Sequence, residues 1–499
     1  MKAFLMYEAQ DFDLQQQFPP NAQALIQDLE LQTLFNAMAL GDKFVFEVVK
    51  QTILCSVTDL DTIRYRQHIL QDCLKNPSIV REIYALAVES IENERRNFWG
   101  LLSRYPSSVL SRSIDVMQMF VGMLAKLKRI ADEHVDAFES KGFTRLFAML
   151  KAELDDDYFA IVQQHLKALK FRDGVLMSAE LGQGNQGIHY ILRKPHDKKQ
   201  GWVERIFAEK PLAYKFTIDD RDESGARALS DLRDRGINLV ANALAQSVEH
   251  ILSFFTMLRT ELAFYIGCLN VQGQLAQMQE PLCFPQPVPP GERRHTFRGL
   301  YDVCLALTMK QGVVGNDAHA DEKDLVIITG ANQGGKSTFL RSIGLAQMMM
   351  QAGMFVPAES FCANVCEGLF THYKRKEDAR MTSGKLDEEL SRMSFIVDHI
   401  TRNSMVLLNE SFAATNKREG SEIARQIISA LLERGIKVFF VTHLYEFAHG
   451  FYDKHMQNAL FLRAERQPDG RRTFKLIEGE PLQTSFGEDV YHRIFKIES

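Results

Sequence analysis

The chain has 499 residues, 45% hydrophobic and 25% charged, with a formal net charge of −5. That length exceeds what one compact core serves, so two or more domains are expected. No basic excess announces a nucleic-acid partner, although a local patch is compatible with a mildly acidic chain.

Seven cysteines follow no disulfide spacing. Cys362 and Cys366 sit four apart without a second Cys or His pair to complete a zinc set, so they read as small buried hydrophobes. The N-terminus "MKAFLMYEAQDFD" carries acids where a signal peptide needs an apolar run. No uncharged stretch of about 20 apolar residues exists either. A protein of the reducing cytoplasm that spans no membrane is expected.

Residues 1–170 carry long helical patterns, such as "SRSIDVMQMFVGMLAKLKRIADEHVDAF", and read as a helical core domain. Residues 171–224 change texture: "GVLMSAELGQGNQGIHYILRKP" predicts two short strands around the glycines of 182–187, a small β-containing insertion. Arg193, Lys194, Lys198 and Lys199 follow, either a solvated hairpin tip or a DNA contact.

Residues 225–280 return to a helical pattern. Ile237, Ala241, Leu244, Val248, Ile251, Phe255, Leu258, Leu262, Tyr265 and Leu269 alternate steps of four and three, a coiled-coil-type seam. At 1.5 Å per residue it runs roughly 50 Å, as a core helix or as a lever joining two distant functions. "PLCFPQPVPPGERR", residues 281–294, holds five prolines and predicts a linker.

From 295 to 499 the pattern is α/β. "DLVIITG", "SMVLLNE" and "KVFFVTH" read as buried strands, with helices "KSTFLRSIGLAQMMMQAG" and "GSEIARQIISALLERG" between them. Such alternation predicts a parallel sheet covered on both faces.

Between the first strand and its helix lies "GANQGGKST", which satisfies GxxxxGK(S/T). Gly330, Gly334 and Gly335 let the backbone turn N–H groups toward phosphate oxygens, and the helix N-terminus adds partial positive charge. Lys336 is placed to reach the β- and γ-phosphates, with Ser337 and Thr338 beside it; the Ser337 hydroxyl suits Mg²⁺. Ser383-Gly384 then opens a helix, Asn409-Glu410 ends a strand, and Thr442-His443 ends the next. That order fits the ATP-binding-cassette class, in which the Ser-Gly helix of one subunit caps ATP held by another.

"GANQGGKSTFLRSIGLAQMMMQAGMFVPA", "NESFAATN", "VTHLYEF" and "TSFGEDV" together resemble the MutS family of DNA mismatch-repair ATPases. "TIRYRQHILQDCL" and "LRTELAFYIGCLNVQGQLAQMQEP" are similar to that family's helical core and lever segments. The resemblance implies a multidomain chain: an all-α core and lever region, then an α/β phosphate-loop ATPase domain of the cassette type. It implies ATP and Mg²⁺ as cofactors and Glu410 as the general base. His443 would sense the γ-phosphate, Asn409 would contact Mg²⁺ with Ser337, and Ser383 would act across a homodimer. "GVVGND" would lie beside the adenine, making Val314 and Asn316 base contacts.

Where the resemblance implies an Asp in most members and Asn in some branches, this chain has Asn409, which keeps an oxygen acceptor and loses a charge. Weaker metal holding and a slow, active ATPase follow. The N-terminal domain that wedges a Phe beside a mispair is expected to be absent. The Phe-x-Glu triplets at Phe207–Glu209 and Phe486–Glu488 lie in the wrong context for it. The implied function is a dimeric, DNA-stimulated ATPase clamp on mismatched or branched duplex, handing on to repair or recombination proteins. The rival reading is a conformational ATPase that switches a protein partner without touching DNA.

Overall fold

A computed structural model describes residues 1–98, 105–172, 174–194, 217–219, 221–375, 384–467 and 471–483. The chain divides into two compact units. One comprises Met1–Ala3, Arg81–Ala137 and Thr144–Arg259; the other comprises Phe4–Val80, Phe138–Phe143 and Thr260–Ser499.

The first unit takes most of α5 (Pro77–Phe98) and α7 (Lys141–Glu153), together with α6 (Pro106–His134) and α8 (Asp156–Leu169). It also takes the N-terminal part of α9 (Glu223–Gln277). Pro106 opens α6, where a missing N–H costs nothing, and Asp155 caps α8 by accepting from the Tyr158 N–H at 2.7 Å. Phe120 stacks on Phe255 at 5.8 Å, and the Asp234 carboxylate accepts from the Ser107 N–H at 3.1 Å. The expected strands form an antiparallel hairpin, β1 (Met177–Leu181) with β2 (Gly187–Leu192). Of the ten seam positions read from the sequence, nine are buried and Leu244 is half-buried.

In the second unit the main sheet joins β6 (Leu325–Gly330), β8 (Leu369–Tyr373), β9 (Met405–Asn409), β10 (Lys437–Val441), β11 (Ala459–Arg466) and β12 (Arg472–Glu478). Their order is β12-β11-β6-β10-β9-β8. All pairings are parallel except that of the edge strand β12, so the sheet is mixed, unlike the purely parallel one expected. A second sheet, not foreseen, runs β3 (Gln286–Val288), β7 (Ser360–Asn364), β4 (His295–Leu300), β5 (Asn316–His319). Its β3 lies inside the segment expected to be a linker. Val288 is buried, and Pro287 is tolerated because β3 is an edge strand.

One face of the main sheet packs Ile327, Val406, Leu408 and Phe440 against α12 (Lys385–His399), α13 (Lys417–Glu433) and α14 (Tyr445–Tyr452). Against the other face lies α11 (Lys336–Ala352), buried around nearly its whole circumference. A helix apolar on every side needs cover on every side. The cover comes from residues 4–80: Leu29 packs on Gly344, and fully buried Arg66 donates from Nη1 to Ala352 O at 3.3 Å. For that reason residues 4–80 group with the C-terminal half, whereas a division in chain order gives them to a separate helical domain.

The first residues of this unit thread through its core. Glu261 of α9 accepts from Leu5 N at 2.5 Å and Phe12 N at 3.2 Å, and Arg66 Nε donates to Met6 O at 2.9 Å. Among the described residues, one window of α9 is long and apolar enough for a membrane span, with a mean hydropathy of 1.3. Of that window 72% is buried in the protein, as in a core helix.

Candidate functional site

Parallel pairing sets the chemistry-bearing residues side by side. Val441 of β10 is in register with Asn409 of β9 and with Ile328 of β6, so three strand ends meet at one edge of the sheet. β6 closes on Gly330 at φ 110°, where a Cβ would stand 2.8 Å from Ala464 N; the strand can end this close to β11 only without a side chain. The loop then turns into α11 at Lys336.

Lys336 is buried, and its Nζ donates to Gly330 O at 3.0 Å and to Ala331 O at 2.8 Å. Burial pulls its ammonium down to about 8, against the opposing charge of Glu410. Ser337 is exposed, and its Oγ donates to Asn409 Oδ1 at 3.0 Å.

Glu410 has left-handed backbone, φ 53°, fixed by its N–H to Val441 O at 2.8 Å. Non-glycine residues persist in that region only where surroundings over-determine them, and such positions cluster at functional sites. Its Oε1 lies 3.1 Å from His443 Nε2 and its Oε2 3.9 Å from Lys374 Nζ. The His443 hydrogen bond, above all, with the charges of Lys374 and Lys336, holds Glu410 below the usual carboxylate range. Two residues on, Phe412 is again left-handed, φ 64°; Gly420 of α13 approaches so closely that a Cβ would stand 2.4 Å from Phe412 O.

Beside the loop opens a cleft of about 430 Å³, lined by Val314, Asn316, Gln333, Thr338, Phe339 and Phe474 among others. Its size and mostly apolar, aromatic lining suit a small flat ligand. Val314 and Asn316 both reach it. The Asn316 amide is engaged with β12, donating to Phe474 O at 3.2 Å and accepting from Leu476 N at 2.8 Å. Asp302, also on the cleft, caps the short helix α10 (Val303–Met309) and pairs with Arg341 of α11.

Sequence reasoning missed Phe474, Asp302 and Lys374. Only the Asp before "VCLALT" carried a local signal, that of a helix cap. Gly334 and Gly335 lie on the loop before α11, Thr338 lies in the first turn of that helix, and Gly384 occupies the N-cap of α12. Ser383 lies outside the described residues, as do Lys198 and Lys199. Arg193 donates from Nε to Ser178 Oγ at 2.8 Å across the hairpin, with Lys194 next to it, in the first unit. Cys366 is buried with its thiol against Gln351 Oε1 at 3.1 Å.

The family model "MutS2 N-terminal domain" matches residues 58–278, and "MutS domain V" matches residues 326–495. The chain belongs to the MutS family. It is 34% identical over 211 residues to "DNA mismatch repair protein MutS" of Thermotoga sp. (strain RQ2), covering 42% of this chain and 26% of that protein. "MutS protein homolog 4" of Homo sapiens is 25% identical over 454 residues, 86% of this chain and 46% of that one. "DNA mismatch repair protein MutS" of Streptococcus pneumoniae (strain Hungary19A-6) is 25% identical over 340 residues, with 64% and 40% covered. This MutS-family chain thus spans less than half the length of these relatives. Lys336, Ser337, Asn409, Glu410 and His443 fall within the domain V match; Val314 and Asn316 fall outside both matches.

Proposed function

We propose that this MutS-family chain is a slow ATPase of the cassette type whose ATP cycle is stimulated by, and controls, its hold on double-stranded DNA. It would work as a homodimer on mismatched or branched duplex in the cytoplasm, passing the DNA to repair or recombination proteins. The observation that carries the reading is the convergence of Lys336, Ser337, Asn409, Glu410 and His443 on one edge of one sheet.

In this reading, the Lys336 ammonium leaves its own loop carbonyls for phosphate oxygens, and the cleft lined by Phe474 and Val314 takes the adenine. Glu410, kept ionised by His443 and Lys374, accepts the proton of the attacking water. Ser337 Oγ and Asn409 Oδ1 are hard oxygen donors that suit Mg²⁺. The metal, when bound, neutralises charge on the phosphate oxygens. DNA contacts would be phosphate-directed, and Arg193, Lys194, Lys198 and Lys199 are the first to examine.

The net charge of −5 keeps the protein-partner switch as a second reading. The test is ATP-dependent binding to labelled matched duplex, single-mismatch duplex and four-way junction at two salt concentrations. Salt-sensitive binding that ATP modulates is expected. ATPase activity with no binding to any of the three would transfer the assignment to the protein-partner switch.

A further inference from the structure

The loop that carries Glu410 is fastened on its far side to α12, the helix that Gly384 opens. Ser411 follows Glu410 directly and is fully buried. Its Oγ lies 2.7 Å from both Nδ1 and the carbonyl oxygen of His372, at the end of β8. The other ring nitrogen of His372, Nε2, lies 2.9 Å from the main-chain oxygen of Glu389 in α12. That oxygen can only accept, so Nε2 carries the proton. Burial holds the ring neutral, down to about 4, so Nδ1 is an acceptor and shares the single Ser411 hydroxyl proton with the His372 carbonyl oxygen. The ring also stacks on Phe412, centroids 5.7 Å apart and planes 19° apart.

The Glu389 side chain, 3% exposed, lies beside the same loop: burial raises its carboxyl, the Ala414 and Phe412 backbone N–H groups oppose that rise, and its Oε2 has no hydrogen-bond partner among the described residues. One residue of α12 therefore holds the loop after Glu410 through its carbonyl, by way of His372, and sets its buried carboxyl beside the Ala414 and Phe412 N–H groups. The left-handed backbone at Glu410 and Phe412 needs such external fixing.

We propose that Glu389 and His372 are positioning residues for the general base: they clamp the Ser411–Ala414 loop to α12, so that the setting of Glu410 follows the setting of that helix. This rests on the reading of Glu410 as the base. In a dimer in which the start of α12 faces the other subunit's nucleotide, the clamp makes each subunit's base responsive to its neighbour's occupancy. Neither residue touches the reacting atoms, so each acts on turnover and spares ATP binding.

The experiment measures kcat, KM and the affinity for a fluorescent ATP analogue on the full chain, with thermal unfolding alongside. The variants are Glu389→Gln, His372→Phe, His372→Gln and, as a control on the base, Glu410→Gln. His372→Phe keeps the stacking and loses both hydrogen bonds; His372→Gln keeps a donor. Expected are a tenfold or greater fall in kcat for Glu389→Gln and His372→Phe, analogue affinity within twofold of the parent, and recovery of at least a third of the parent kcat in His372→Gln. Parent-like kcat in Glu389→Gln and His372→Phe would overturn the clamp. Equal losses of turnover, affinity and thermal stability would overturn it too, because the residues would then serve the fold alone. Retained turnover in Glu410→Gln would instead remove the base assignment.

Discussion

Ser337 Oγ and Asn409 Oδ1 lie 3.0 Å apart, so the first hydroxyl of α11 and the last side chain of β9 meet where a divalent cation would sit. An Asp there would add a negative charge without changing the reach. A charged acceptor is about twice as strong as a neutral one. Asn409→Asp is therefore expected to lower the Mg²⁺ concentration for half-maximal ATP turnover by roughly three- to tenfold, about 1 kcal/mol. A magnesium titration of the hydrolysis rate checks this; an unchanged or raised requirement refutes it.

Glu410→Gln keeps the shape of the side chain and removes its basicity. Turnover is expected to fall by about 10²–10⁴-fold, the range for losing a general base, with ATP binding retained. Single-turnover hydrolysis beside equilibrium nucleotide binding separates the two effects.

Lys374 stands 3.9 Å from Glu410 Oε2 and, after the His443 hydrogen bond, helps keep the carboxylate ionised. Lys374→Met removes a charge that favours the ionised form, so the folded-state pKa of Glu410 rises. The acid limb of the kcat/KM profile should move to higher pH, while the plateau above it keeps its height. A profile that stays put, or shifts toward acid, counts against Glu410 as the titrating base.

Glu261 is buried near Asp11 and Tyr265, and burial first of all raises it from 4.5 to about 7 despite the Leu5 and Phe12 amides. The folded chain then binds a proton that the unfolded chain has released between about pH 4.5 and 7. Stability from this group is complete below that window and is lost as pH rises through it, on the order of 3 kcal/mol at most. Thermal unfolding from pH 5 to 8 should show a falling midpoint, and Glu261→Gln should flatten the fall. An equal slope in the variant would assign the pH dependence elsewhere.

The main sheet was legible because "DLVIIT", "MVLLN" and "KVFFV" are continuous apolar runs, which few structures other than buried parallel strands require. The phosphate loop was legible because its residues are contiguous. The second sheet was hidden: β3 spans three residues and includes a proline, and β4 and β7 mix polar with apolar positions. The cleft was half hidden, because Phe474 meets Asn316 across 158 residues of chain. The membership of residues 4–80 left one unused clue in "FLRSIGLAQMMMQA", a helix with no polar face, which announces that something else must enclose it.

Residues 4–80 rest on strands that are not complete until Glu478. During synthesis at about 5–20 residues per second, the first helices leave the ribosome with their apolar sides bare for on the order of 20–80 s before their partners exist. The nascent chain is thus a natural client for chaperones. A fragment cut near residue 295, where the sequence invites a boundary, would strip α11 of Leu29 and Arg66 and present that bare helix to every neighbour in the tube.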